Sequence, residues 1–340
     1  MPDEQTQELI SQLSHRKLAF VRRLLRAHEV PVSGTRDKLV ERLNDAVDEG
    51  QITPDAILAL LNELDAWGKQ RVKLARFEPR FLNPYRNEAE VRARLREAGM
   101  EHLLGREGID LNPPKVLTPM RIGYVHRDGK RLLQIVAAKT RFVDRPETDL
   151  PELNVEGVAV AEGEIVDGIV YKPFRRERQK VISFAEVDLG TGFVMISTTL
   201  KYRVNYRPEF DELLALVEGV VPLRSANPIL LFRAVHEIKQ LSHDEVRIYS
   251  RKAESPTGGS VDLRSHSSKT DLRLDPALLR ADNLFGNEDC VHCNCRWQPG
   301  SELVEEVHTH VFAPAGEVSV LGQVTEASAR HVLQRIRALN

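Results

Sequence analysis

The dominant hydrophobic period of this chain shifts from helical to alternating near Asn112-Pro113-Pro114, and that shift constrains the fold more than any other feature. Before it, apolar residues recur every three to four positions, as on one face of a helix. Beyond it they alternate, which is the period of a half-buried strand. Helices followed by strands read as α+β. The expected fold is a small N-terminal helical domain of helix-turn-helix type, followed by a mixed, mostly antiparallel β body with flanking helices. A chain of 340 residues is long enough for two or three cores.

Local signals divide the chain further. Residues 1–13 read as a short polar lead-in or frayed helix, 14–80 as a helical module with a supporting helix, and 81–112 as a helical linker. Residues 113–222 read as an α+β domain, and 223–340 as a second α+β block ending in a C-terminal helix. In the module, one helix runs from about Lys17 to His28 with Leu18, Val21, Leu24 and Leu25 on its apolar stripe. Val30-Pro31-Val32-Ser33-Gly34 breaks the period. A second helix starts at Thr35, an N-cap residue, with Asp37 in its first turn. Thr53-Pro54-Asp55 opens a third helix, which stops near Gly68. Gly68–Phe77 alternates basic and apolar residues and reads as an edge strand. In the body, strands over Thr118–His126 and Arg131–Phe142 flank an Asp128-Gly129 hairpin turn. Others are expected at Gly163–Tyr171, Lys180–Val187, Phe193–Thr199, Glu245–Lys252, Asp289–Trp297, Glu305–Phe312 and Val318–Leu321.

A net charge of −2 excludes a uniformly basic nucleic-acid coat, so any such contact needs a local patch. One exists. Arg16, Lys17, Arg22, Arg23, Arg26, Arg36, Lys38 and Arg42 face only Glu29, Asp37 and Glu41 within the same stretch. Cys290, Cys293 and Cys295 are too crowded for a disulfide framework, which fits a reducing, intracellular compartment. No apolar run approaches the ~20 residues of a membrane span, and the acidic N-terminus is not a signal peptide.

Two short helices around Val32-Ser33-Gly34-Thr35, with Leu39, Val40, Arg42 and Leu43 in the second, resemble the SAP domain. That family is a small helix–turn–helix-like DNA-binding module of chromatin, repair and some bacterial proteins. The resemblance covers about a tenth of the chain. Glu29 stands where the family usually has glycine. The resemblance implies weak, largely sequence-independent binding of duplex DNA, and some family members bind proteins instead. Physically, the amides opening the second helix make a phosphate site framed by Ser33, Gly34, Thr35, Arg36 and Lys38. Arg22 and Arg26 lie one turn apart beside it, with Arg23 and Arg42 completing the basic rim.

The body offers weaker constellations. Lys172, Arg175, Arg176, Arg178 and Lys180 read as a basic loop between strands, a further nucleic-acid contact or a solvated tip. Cys290, Cys293, Cys295, His308 and His310 invite a zinc reading, but a second cysteine pair is absent and no metal is expected. As a strand, Val291, Cys293, Cys295 and Trp297 would share one face, with Cys290, His292, Asn294 and Arg296 on the other. Asp167, Glu186 and Asp188 suggest a nuclease-like carboxylate cluster without the accompanying lysine pattern. No phosphate loop, nucleophile elbow or zincin helix is found, and no cofactor is expected. The resulting expectation is a non-enzymatic, DNA-associating protein whose body recruits a partner as scaffold or sensor, in DNA repair or bacterial defence. It would be nucleoid-associated in a bacterium or nuclear in a eukaryote. The alternatives are a divergent metal-dependent nuclease tethered by the same module and a pure protein–protein adaptor.

Overall fold

The computed structural model describes residues 3–106, 108–110, 112–146, 174–200, 207–254, 258–282, 290–301 and 303–340. It opens with α1 (Glu4–Ser14), α2 (Leu18–Ala27), α3 (Arg36–Asp48) and α4 (Pro54–Trp67). The first of these occupies the stretch expected as a polar lead-in or frayed helix. Asp3 caps it, accepting from the Thr6 amide at 2.7 Å, and Leu9, Ile10 and Leu13 turn inward from an otherwise polar surface. Three apolar residues in eleven are a faint stripe, which is why the sequence left lead-in and frayed helix both open; the structure makes it a helix. They join Phe20, Val21, Leu24 and Leu25 of α2, Leu39 and Leu43 of α3, and Ile57, Leu61 and Leu64 of α4 in one core. No two of these short helices could bury such a core alone; four can. The supporting helix α4 starts as its residues dictate: Thr53 Oγ1 accepts from the Ala56 amide at 3.3 Å, and Pro54 takes the first helical position.

After the helices comes β1 (Gln70–Arg76), then α5 (Asn83–Arg86) and α6 (Glu88–Glu97). The first run of strands is β2 (Thr118–Arg127), β3 (Lys130–Pro146), β4 (Phe174–Asp188) and β5 (Phe193–Thr199). There follow α7 (Arg207–Val217), β6 (Asn227–Pro228), α8 (Phe232–Gln240), β7 (Val246–Glu254), β8 (Ser260–Arg264) and α9 (Pro276–Asp282). The described chain closes with β9 (Cys290–Trp297), β10 (Val307–Phe312), β11 (Glu317–Leu321) and α10 (Glu326–Ala338). The strand expected at Gly163–Tyr171 lies outside the described residues.

The architecture is α+β: among the described residues, helices precede one antiparallel sheet of eleven strands, ordered β2-β3-β4-β5-β1-β11-β10-β9-β7-β8, with β6 beside β1. Two expectations change here. The first is β1, which is not an edge: Val72 pairs with Ser197 on one side and Val318 on the other. Its alternation of Arg71 and Lys73 with Val72 and Leu74 mimics an edge. In the fold, Arg71 Nε meets Glu317 of the neighbouring strand at 2.7 Å, while Val72 and Leu74 are buried. The second is the basic loop: its residues from 174 onward are strand β4, paired with β3 as far as Pro146. The Asp128-Gly129 turn stands as expected, with φ of 50° and 70° giving the two left-handed positions of a type I′ hairpin.

Helices α4, α8 and α10 cover the first face of the sheet along its length. Their partners there include Val136, Ile182, Phe184, Cys293, Cys295, Trp297, Val311 and Val318. On the second face, α6 and α7 pack over Leu133, Ile135, Ala185, Val194 and Ile196 of β3, β4 and β5. Over β11, β10 and β9 that second face instead carries Ser319, His308, His310, Phe312, His292 and Asn294.

Candidate nucleic-acid interface

The turn between α2 and α3 is built from backbone geometry that the sequence only partly signals. The Val30 amide donates to Leu25 O at 2.9 Å and the Glu29 amide to Arg26 O at 3.2 Å, closing α2 as a Schellman motif. Glu29 takes the left-handed position, φ 60°. A side chain there costs about 1 kcal/mol against glycine, so the turn forms at some expense. Gly34 has φ 121°, and a Cβ on it would sit 3.3 Å from the Lys38 Cβ. Thr35 then enters α3 in extended conformation, its hydroxyl making no capping hydrogen bond. The first amides of α3 therefore rely on an outside acceptor or water.

The arginines of the predicted rim divide into two groups. Arg36 reaches back to Ser14 O and, at 3.1 Å, to Arg16 O, closing the C-terminal end of α1. Arg42 donates to Pro31 O at 3.1 Å and to Ser33 O, and Arg22 contacts Gly34 O at 3.4 Å. Arg22 and Arg42 thus hold carbonyls of the turn that presents α3, while Arg36 ties the start of α3 to the α1–α2 junction. Each guanidinium has five N–H donors, so the remainder can still face a phosphate. Arg23 pairs with Glu63 of α4 at 3.2 Å. Arg26, Ser33 and Lys38 are exposed. Sequence spacing could place the arginines near the turn but could not show that backbone carbonyls are the first partners of Arg22, Arg36 and Arg42.

Below the module runs a polar groove of about 750 Å³ between α1, α4 and the ends of β3 and β4. His15, Arg16, Lys69, Arg178 and Lys180 line it, opposed by Glu8 and Asp65. Arg16 meets Asp65 at 2.6 Å. Lys180 donates to Asn62 Oδ1 at 2.8 Å, and burial holds its ammonium below the usual lysine range although Asp65 pulls the other way. Strand β4 thus brings two residues of the expected basic loop against the helical module. Arg176 is exposed on the same strand. The side chain of Arg175 and all of Lys172 lie outside the described residues.

The cysteine–histidine constellation is split by the sheet. Cys293 pairs in register with Val311 and Cys295 with Thr309, so both sulfurs enter the apolar core of the first face. His308 and His310 have the opposite parity and project from the second. Cys290, expected on the outer face, is also in the core, because a register shift against β7 places it opposite Ala253. None of the three cysteines is in a disulfide among the described residues. Among the described residues, no group of three or more His, Cys, Asp or Glu side chains is placed to hold a metal ion.

On that second face, Tyr249 Oη lies 2.8 Å from His310 Nε2 and also contacts His308 Nε2. Burial pushes His308 down to about 4 and His310 to about 3. Both imidazoles are therefore neutral at physiological pH. Burial raises the Tyr249 phenol.

The carboxylates are occupied. Glu186 is buried, paired with Arg330 of α10 at 2.7 Å and accepting from Gln134 Nε2 at 2.6 Å. Asp188 accepts from the Gly190 amide at 2.9 Å and from the Thr191 hydroxyl at 2.7 Å. Burial pushes its pKa up, but these turn hydrogen bonds outweigh it and hold the carboxyl below its ordinary value. Asp167 lies outside the described residues.

No family model matches the chain, and no curated protein does. Among solved structures, the di-domain ARO/CYC StfQ from the steffimycin biosynthetic pathway is similar at 10% identity and a TM-score of 0.13, covering 79% of this chain and 93% of that one. A likeness at that TM-score carries no argument about this chain. Among the described residues, no helix is long and apolar enough to cross a membrane.

Proposed function

We propose that the helical module docks this protein on duplex DNA through the sugar–phosphate backbone, with the β body acting as a scaffold or sensor for a partner. One observation carries the reading. The N-terminal turn of α3 has no side-chain cap and is flanked by Arg36, Lys38 and the row Arg22 and Arg26. Helix N-termini offer amides and a positive dipole end to anions. The left-handed Glu29 gives the chain the turn for which SAP modules use glycine, which supports the resemblance at its point of departure. Arg178 and Lys180 in the groove extend basic character from the module onto β4. Contacts of this kind position a protein on DNA without reading sequence. A nucleoid or nuclear setting, and a role in repair or defence, follow from the company SAP modules usually keep.

Fluorescence anisotropy with a labelled duplex tests the reading. The full chain should bind weakly, with log affinity falling linearly against log salt. The double substitution Arg26→Glu and Lys38→Glu leaves the carbonyl-holding arginines intact. It should weaken binding and lower the salt slope by about 1 for each phosphate no longer neutralised. Duplex affinity and salt slope unchanged in the folded double variant would overturn the proposal. Tight, salt-insensitive binding of a protein partner through the same surface would point to the adaptor reading instead.

A further inference from the structure

Tyr249 belongs to β7, yet its hydroxyl meets two histidines of β10, with β9 lying between. A β-bulge makes this possible. The pairing of β7 with β9 shifts register between Ile248 and Ser250, leaving Tyr249 as the extra residue. Bulges of this type re-aim a side chain and increase local twist. His308 and His310 are two apart on β10 and so project from the same face. Their Nε2 atoms converge on one oxygen, with His310 Nε2 at 2.8 Å.

We infer that Tyr249, His308 and His310 form a mononuclear binding site for a divalent first-row transition ion of the zinc or copper class. The geometry carries the inference: three donor atoms from two non-adjacent strands meet at one point on the sheet. Two imidazoles and a phenolate suit these borderline ions, and three protein ligands leave a fourth position for water. Ligand atoms about 2.0–2.1 Å from a tetrahedral centre stand roughly 3.3 Å apart, so the Tyr249–His310 pair, 2.8 Å apart, opens by about 0.5 Å on binding, and the shorter Tyr249–His308 contact by more. On binding, the shared hydrogen-bond proton is replaced by the ion. The phenol O–H releases its proton to solvent, and each imidazole contributes the lone pair of Nε2. The surroundings make the site firm. His310 stands edge-on to His292, which stacks on Phe312 with ring centres 4.4 Å apart. The Arg71 guanidinium lies 4.4 Å over that Phe312 ring. The set includes only two histidines, and the cysteines on the other face of the sheet take no part.

Titration of the chelator-stripped full chain with Cu²⁺, and separately with Zn²⁺, tests the inference. One equivalent of ion should bind, and the copper form should show a phenolate-to-copper charge-transfer absorption in the visible. Tyr249→Phe should abolish that band. His308→Ala and His310→Ala should each weaken binding on the order of 100-fold or more, at or beyond the loss typical of changes outside the ligand sphere. Circular dichroism of Tyr249→Phe, which removes a single oxygen, confirms that the fold is kept. No stoichiometric binding by the parent chain would overturn the inference. So would copper binding without the charge-transfer band, or binding that the histidine substitutions leave unchanged, since either identifies adventitious surface histidines.

Discussion

The two halves of the sheet use the same pleat to different ends. Over the middles of β3, β4 and β5 both faces are buried, and β3 reads Leu132-Leu133-Gln134-Ile135-Val136-Ala137-Ala138 with hardly a polar position. In β9–β11 one face is equally apolar, but the other alternates in histidine, phenylalanine, asparagine and serine. A strand packed on both sides has no parity left for chemistry. A strand packed on one side does, and there the sheet gathers its titratable rings. Where helices lie on both faces, substitution costs stability; where they lie on one, it costs something more specific.

The strongest way to break this comparison is Arg330→Ala. It strands the Glu186 carboxylate, 4% exposed, in the doubly packed half. Losing one partner of a buried pair costs about 3–5 kcal/mol. A urea midpoint shift worth less than about 1 kcal/mol would show that half to be wetter than its burial implies. A matched pair of truncations comes next. Ile135→Ala, on a side chain 1% exposed, should cost about 2–5 kcal/mol. Phe312→Ala, half-buried on the polar side, should cost less than about 2 kcal/mol by the same measurement. Equal losses would erase the distinction.

The last effect is the most selective. His308 and His310 stay neutral in the fold down to about 4 and about 3, whereas an unfolded chain protonates them near 6.5. Between those values the unfolded chain binds more protons, so stability is full above pH 6.5 and falls as pH drops toward 4. His308→Ala and His310→Ala should flatten that acid limb. Denaturation midpoints with the same pH slope as the parent would remove these imidazoles from the account.

Much of this was legible in the residues. The change of period at Asn112-Pro113-Pro114 announces helices before strands, and Asp128-Gly129 announces its hairpin. Thr35 and Thr53 announce the starts of α3 and α4. All are local signals, set by a few neighbouring side chains. What stayed hidden depends on distant partners. The central place of β1 is decided by residues 193–199 and 317–321, more than a hundred positions away. The basic stretch before Val181 looks like a loop because its strand partner, Arg141 to Pro146, is itself rich in charge and carries little alternation. The meeting of Tyr249 with His308 and His310 rests on a bulge, and one extra residue leaves no mark in an alternating pattern. In the module, local spacing placed the arginines correctly along the helices. Only the fold shows Arg22 and Arg42 bound to carbonyls of the α2–α3 turn, and Arg36 to those of the α1–α2 junction.

The position of β1 has a consequence in time. Its partner on one side, β11, follows it by roughly 240 residues, which a ribosome adding about 5–20 residues per second reaches only after about 12–50 s. During that interval the middle of the future sheet has an unsatisfied row of amides and carbonyls, a ready template for other strands. The four-helix module just ahead of it can condense first, since its core is drawn from residues 9–64 alone. Synthesis thus runs with a folded head beside an open seam, and the seam closes only when the last strand arrives.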